Sequence, residues 1–200
     1  MKYLDKTAAA LVVLGLLAGC GTITATPSNM LTKVPVDVTA APDNKSETAS
    51  LNNANWVTTP LVNVSTGETF KLSDYKGKVL LVEMMAVWCT NCLQQQGQVR
   101  QLHQNATAAN SGKVISISMD VDPNEDARQV KAYREKQGFE WGYTVAPSAV
   151  AREISQLYGP QFLNPSAVPM LIIDKQGVAH PLPFGVKSVE SLQDALKPYL

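Results

Sequence analysis

Cys89 and Cys92 are the residues of this chain best equipped for chemistry. They stand in Trp88-Cys89-Thr90-Asn91-Cys92, straight after the apolar run Val79-Leu80-Leu81-Val82-Glu83-Met84-Met85 and ahead of a polar segment with helical potential. A strand, a short turn and a helix start would place Cys89 at a helix N-terminus, where unpaired N–H groups and the positive end of the dipole stabilise a thiolate. Cys89 is then a nucleophile near neutral pH. Cys92, one helical turn later, can attack the mixed disulfide that results, so the encoded chemistry is dithiol–disulfide exchange. It requires two sulfurs within bonding distance at an exposed rim. A Cys-x-x-Cys can also be half of a zinc site. A closed zinc site wants four Cys or His ligands, and the two histidines, His103 and His180, lie isolated and far from the pair in sequence. Each reads as a solvated surface residue, and neither a metal nor another cofactor is expected.

Glu83 is the second chemical signal. A carboxylate inside an apolar central strand is costly unless it has a use or a partner. Burial raises its pKa and makes it a competent acid/base near neutral pH, and buried ionisable groups cluster at active sites. The plainer alternative is an edge position and a pairing with a lysine such as Lys78. Trp88 is either a hydrophobic wall beside the sulfurs or part of the core.

Composition bounds what surrounds these residues. Two hundred residues with 45% apolar content suit one ordinary domain plus an appendage. Lys+Arg and Asp+Glu both number 17, which gives no basic excess of the kind nucleic-acid binders show. Three cysteines make an odd count, and the N-terminus accounts for the third. Lys2 and Lys6 mark a charged region, and Thr7 to Ala18 is an apolar stretch too short for a comfortable membrane span. It ends in Leu17-Ala18-Gly19-Cys20, which resembles the lipobox of bacterial lipoproteins. That resemblance implies a signal peptide over 1–19 and lipidation of Cys20; the alternative is an ordinary secretory signal with an incidental Cys. Several acyl chains anchor stably where one would not, and export puts the thiols where disulfides persist. Residues 20–55 are rich in Thr, Ala, Asn, Ser and Pro and read as a flexible tether.

The remaining 56–200 carries the elements that must hold the site. Leu61-Val62-Asn63-Val64 and Thr69-Phe70-Lys71-Leu72 form a hairpin around Gly67. Val79 to Met85 is a central strand buried on both faces. The helix after Cys89 shows Leu93, Val99, Leu102, Ala106 and Ala109 near one face. Val114 to Met119 is the next strand. Asp122-Pro123-Asn124-Glu125 reads as a helix start, with Asp as N-cap, Pro at N1 and Glu at N3, and that helix stops at Gly138. A short strand over Trp141–Val145, a helix from Pro147-Ser148, a buried strand over Val168–Asp174, a hairpin turn at Asp174-Lys175-Gln176-Gly177 and a last helix capped by Ser188 follow. The fold class is α/β with a mixed sheet flanked by helices.

This order resembles the thioredoxin superfamily, and most closely its membrane-anchored branch typified by TlpA and ResA. The resemblance covers roughly Trp56 to Leu200. It rests on Trp88-Cys89-x-x-Cys92 after the apolar strand, on Val168-Pro169 where this superfamily has a cis-proline facing the disulfide, and on the insert from Val114 to Tyr158. It implies a thioredoxin-like fold with an N-terminal hairpin and a central insert, and a redox-active Cys89–Cys92 disulfide. It also implies that Glu83 passes protons to and from Cys92, while Trp88, Val168 and Pro169 meet the substrate. The implied activity is thiol–disulfide oxidoreduction in the reducing direction. Its substrates would be disulfide-bearing exported proteins such as apocytochrome c, and an unidentified membrane or soluble donor would supply electrons. The chain departs from the pattern at Thr90-Asn91 between the cysteines and at Gly97, where the family has Pro.

Two other functions compete. A peroxiredoxin-like peroxidase needs Pro-x-x-x-Thr-x-x-Cys, and Met84-Met85-Ala86-Val87-Trp88 precedes Cys89 instead. A Sco-type copper chaperone spaces its cysteines three apart and adds a His ligand, although two thiolates alone could still hold soft Cu(I).

Overall fold

The computed structural model describes residues 54–106 and 112–200. The proposed signal segment, the Cys20 lipidation site, nearly all of the tether, and Ala109 lie outside the described residues.

In chain order the elements are α1 (Asn55–Thr58), β1 (Leu61–Val62), β2 (Thr69–Phe70), β3 (Val79–Met85), α2 (Thr90–Gln104), β4 (Val114–Asp120), α3 (Ala127–Gln137), β5 (Gly142–Val145), α4 (Ser148–Tyr158), β6 (Met170–Ile173), β7 (Ala179–Pro181) and α5 (Val189–Leu196). β1 and β2 pair antiparallel, Leu61 opposite Phe70, across a turn in which Gly67 takes φ 75°, a value a side chain would strain. The main sheet has the order β5-β4-β3-β6-β7. β3, β4 and β5 run parallel, while β6 is antiparallel to β3 and β7 to β6. This is the mixed sheet that the alternation of strands and helices implies, in a thioredoxin-like arrangement.

β3 is central because all seven of its residues are buried, which a strand covered on both faces requires. Its alternate residues serve different layers. Leu80, Val82 and Met84 pack with Trp56, Val150, Ile154 and Phe162 on the side of α1 and α4. Val79 and Leu81 pack with Val99 and Leu102 of α2 and Leu192 and Leu196 of α5. Cutting any of these back to Ala costs about 2–5 kcal/mol. Glu83 shares the parity of Val79 and Leu81, so its carboxyl enters the layer under α2.

Three local expectations need correction. The inner face of α2 is Cys92, Gln95, Gln96, Val99 and Leu102; Leu93 is half-buried, and the helix ends before Ala106. The N-cap of α3 is Asp126 rather than Asp122. Asp126 accepts from the N–H groups of Arg128 and Gln129, and the Gln129 side chain returns to the Asp126 N–H. Asp-x-x-Gln wins over Asp-x-x-Glu because Asp122 instead closes a turn onto the Asn124 N–H, and Glu125 is engaged elsewhere. Finally, His180 is half-buried, with Nε2 2.8 Å from Asp174 Oδ2 and its ring tilted against Tyr199. His103 is exposed but holds Ser116 Oγ at 2.8 Å.

Candidate active site

β3 ends at Met85, the chain turns through Ala86-Val87-Trp88, and α2 begins at Thr90. Cys89 is therefore the N-cap of α2, and its sulfur accepts from the Cys92 N–H at 3.1 Å. The cysteines are joined in a disulfide with their Cα atoms 5.2 Å apart. A sulfur in this position faces free N–H groups and the positive end of the helix, which favours a thiolate once the bond is reduced.

The rim is more closed than the sequence implies. Cys89 is 3% exposed and Cys92 is fully buried. Against Cys92 lies a strap, the 3-10 turn Pro165–Ala167 and Val168 after it. Cys92 Sγ lies 3.3 Å from the Pro165 carbonyl oxygen, and Asn91 Nδ2 donates to the Ser166 carbonyl at 2.9 Å. Thr90-Asn91, the departure between the cysteines, thus gives the strap a fastening.

The strap also corrects the expected cis-proline. No peptide bond among the described residues is cis, and Val168 instead takes φ 51°, a left-handed conformation rare for a β-branched residue. Its backbone is already engaged. The Val168 N–H donates to Pro165 O at 2.8 Å, and its carbonyl accepts from Lys187 Nζ at 2.6 Å. Both bonds, possible with a trans peptide, hold the turn, and Val168 is wholly buried. Pro169 is joined to the central strand, its carbonyl accepting from the Met84 N–H.

Trp88 is not core. It is 57% exposed, and its indole N–H donates to Asp122 Oδ2 at 2.6 Å, a bond that foremost holds the Asp122 carboxyl below its usual range. Beside it the Val87 N–H donates to Glu125 Oε2 at 2.8 Å. The β4–α3 loop therefore grips the two residues before Cys89 with two acids. Glu125 also presses on buried Asp120. Burial first, then the Glu125 carboxyl, pushes Asp120 up to about 9.

Glu83 is the buried acid that its place in the strand foretells, 2% exposed. Burial pushes its carboxyl up to about 8, against the opposing pull of Gln96, Ser118 and the Lys187 ammonium. Ser118, its Cα partner across the β3–β4 ladder, donates Oγ–H to Oε2 at 3.2 Å and receives the Trp141 indole N–H at 3.0 Å. Lys78 is not the neighbouring cation; Lys187 is.

Sequence reasoning missed Lys187 and two glutamines. Lys187 donates Nζ–H at 2.6 Å to Val168 O and at 2.6 Å to Gly185 O, and burial draws it down to about 8. Its backbone pairs with the Gln95 amide on both sides, tying its loop to α2. Gln96 accepts from the hydroxyls of Tyr133 and Tyr143. One signal was available: Gln95 and Gln96 lie three and four residues after Cys92, on the same helix face. Nothing in the local sequence marks Lys187.

Comparison with known proteins extends this picture. No curated protein matches the chain at a significant level. Solved structures share the fold. A thiol:disulfide interchange protein of the thioredoxin family from Chlorobium tepidum TLS superposes with a TM-score of 0.55 at 20% identity, covering 70% of this chain and 92% of that one. An exposed lipoprotein thioredoxin from Streptococcus pneumoniae strain TIGR4 gives 0.51 at 24%, covering 70% and 98%. A SCO1/SenC family lipoprotein from Bacillus anthracis str. Ames gives 0.56 at 21%, covering 70% and 92%. At these identities the likeness speaks for the thioredoxin-like fold alone. The sequence itself matches one family profile, from residue 44 to residue 180, and on that span the chain belongs to the AhpC/TSA family.

Proposed function

We propose that this protein is a thiol–disulfide oxidoreductase of the TlpA/ResA type that reduces disulfides of exported proteins, apocytochrome c among the candidates. The observation that carries the reading is a Cys89–Cys92 disulfide at the start of α2, in the layer where β3 buries a titratable acid. In the reduced protein the Cys89 thiolate attacks one sulfur of the substrate disulfide. The substrate S–S bond breaks, its other sulfur leaves as a thiolate, and a mixed disulfide forms. Cys92 gives its proton to the Glu83 carboxylate and attacks Cys89, releasing the second substrate thiolate, which takes up a proton. Two electrons pass to the substrate, and a dithiol donor protein must restore the pair. Trp88, the strap at Val168 and Pro169 form the surface the substrate meets, and the strap must shift to admit it. The domain works outside the cytoplasm, held to a membrane through lipid on Cys20. The Leu17-Ala18-Gly19-Cys20 pattern supports that placement, as does the description of two structures of like fold as lipoproteins.

The test is a Cys92→Ser variant, which should accumulate a mixed disulfide through Cys89 with a model protein disulfide, while Cys89→Ser accumulates none. The reduction potential then gives the direction: near about −270 mV supports a reductase, near about −120 mV an oxidant. A Cys89 thiol that titrates at the free value of about 8.5 would sink the reading.

The family match favours one second reading, a thiol peroxidase. There the Cys89 thiolate takes an oxygen from peroxide, releasing water or alcohol, and Cys92 condenses with the sulfenic acid to give the same disulfide and water. Peroxide consumption no faster than that of a free thiol removes it. Stoichiometric copper on the reduced, purified protein would instead point to a chaperone.

A further inference from the structure

Gln96 is buried without exposure in the middle of α2, where a polar side chain must be satisfied or be costly. Its oxygen is doubly satisfied. Tyr133 of α3 donates to it at 2.8 Å and Tyr143 of β5 at 2.9 Å. Burial foremost, with the Glu83 charge adding to it, holds both phenols above their ordinary range, so both remain O–H donors that need an acceptor. With two donors converging on Oε1, the amide cannot turn over without leaving both unpaired. Its Nε2 therefore points the other way, where it has no hydrogen-bond partner, and Glu83 Oε1 is likewise buried without one. The amide nevertheless favours the ionised carboxyl. Gln96 lies on the buried face of α2 and Glu83 on the face of β3 that packs under that helix, so a lone donor and a lone acceptor are left in the layer between them.

We propose that Gln96 is the positioning residue of the Glu83 proton: clamped at its oxygen by Tyr133 and Tyr143, it holds its N–H ready for the carboxylate and for that state of Glu83 alone. The inference rests on the reading of Glu83 as the acid/base of the dithiol. A neutral carboxyl has little need of the amide, and a carboxylate gains a charge-assisted bond. Gln96 thereby keeps a buried base available near neutral pH, where burial alone would lock it protonated. The other groups that act on Glu83 are Ser118 from β4, Lys187 from the loop before α5, and the two phenols. Lys187 pulls in the same direction as Gln96 and, like Ser118, is untouched by the changes below.

The experiment is a titration of the Glu83 side-chain carboxyl by carbon-13 NMR in the oxidised protein, where neither cysteine titrates. Gln96→Met, which keeps length without the amide, should move the midpoint up by about one pH unit or more, a tenfold weaker acid. The Tyr133→Phe, Tyr143→Phe pair keeps the amide but frees it to turn, and should move the midpoint the same way by less. It also decides the matter if Gln96→Met does not fold. The pH profile of the Cys92 step in the reduced protein should follow by the same interval. Midpoints within about 0.3 unit of the native one, or lower, would overturn the role of Gln96. A carboxyl that moves as stated while exchange kinetics stay put would uphold the hold on Glu83 and refute its part in the reaction.

Discussion

Replacing Glu83 by Gln should make the protein more stable and less active, and the two effects should separate with pH. The Glu83 carboxyl titrates at about 8 in the folded chain against 4.5 for the free group. Between those values the unfolded chain has lost the proton that the folded chain keeps. Stability therefore falls as pH rises, by about 1.4 kcal/mol per unit, until the folded carboxyl itself ionises. At pH 7 the accumulated cost relative to acid conditions is about 3 kcal/mol. Glutamine has the same shape and never ionises, so it escapes this cost. The assay is urea unfolding of the disulfide-intact protein and of Glu83→Gln from about pH 4.5 to about pH 7, where Lys187 still keeps most of its charge. Taking the difference at each pH cancels the titrations the two proteins share, His103 and Asp120 included. It should grow in favour of Gln by about 3 kcal/mol across the window, while the Cys92 step slows by about 10²-fold or more for want of its proton acceptor. A difference that stays constant with pH would refute the argument, because it would mean that the folded and unfolded chains bind the same proton alike.

Asn91→Ala removes the Asn91–Ser166 bond, worth about 0.5–1.5 kcal/mol, so a small thiol should reduce the disulfide about 2- to 10-fold faster; an unchanged rate would show that the strap does not guard the sulfurs. Lys187→Met deprives the buried Val168 carbonyl, and the exposed Gly185 carbonyl, of their donor and should cost about 2–4 kcal/mol in denaturant unfolding; a loss under about 1 kcal/mol would show the lysine to be idle. Trp88→Ala, at a mostly exposed position, should change stability by less than about 1 kcal/mol. It should raise KM for a protein disulfide several-fold and leave the rate with a small disulfide unchanged; equal effects on both would place Trp88 in the chemistry rather than in docking.

What the sequence discloses and what it hides divide along a physical line. β3 is legible because burial on both faces forces an unbroken apolar run, and Glu83 is legible as the one break in it. The cysteine pair is legible because its spacing is a local property of a helix start. Gly138 and Ser188 mark the ends of their helices through interactions a few residues long. Gln95 and Gln96 are written in the same letters as a solvated helix face, and only partners 37 to 92 residues away justify their burial. Lys187 reads as one more surface lysine until the carbonyls of Val168 and Gly185 are in place around it. The strap at Val168 is hidden for a different reason: the donor to its carbonyl sits 19 residues further on.

These hidden residues share one property. Gln95, Gln96 and Lys187 are polar and buried, and Gln95 holds the Lys187 backbone while Gln96 holds the phenols of α3 and β5, so each bond joins separate elements. A fold that only needed stability would fill this space with apolar side chains, since a buried polar network at best breaks even against them. Here the network is satisfied nearly throughout. Besides Trp56 Nε1, Ser65 Oγ and Tyr158 Oη, three buried side-chain atoms among the described residues lack a partner: Glu83 Oε1, Gln96 Nε2 and Asp120 Oδ2. Two of these atoms belong to carboxyls raised towards neutral pH, and the third is the amide aimed at one of them. Free capacity on carboxyls able to change protonation, in the layer of a bond whose breaking and making must move protons, suits exchange chemistry, and packing alone would have removed it.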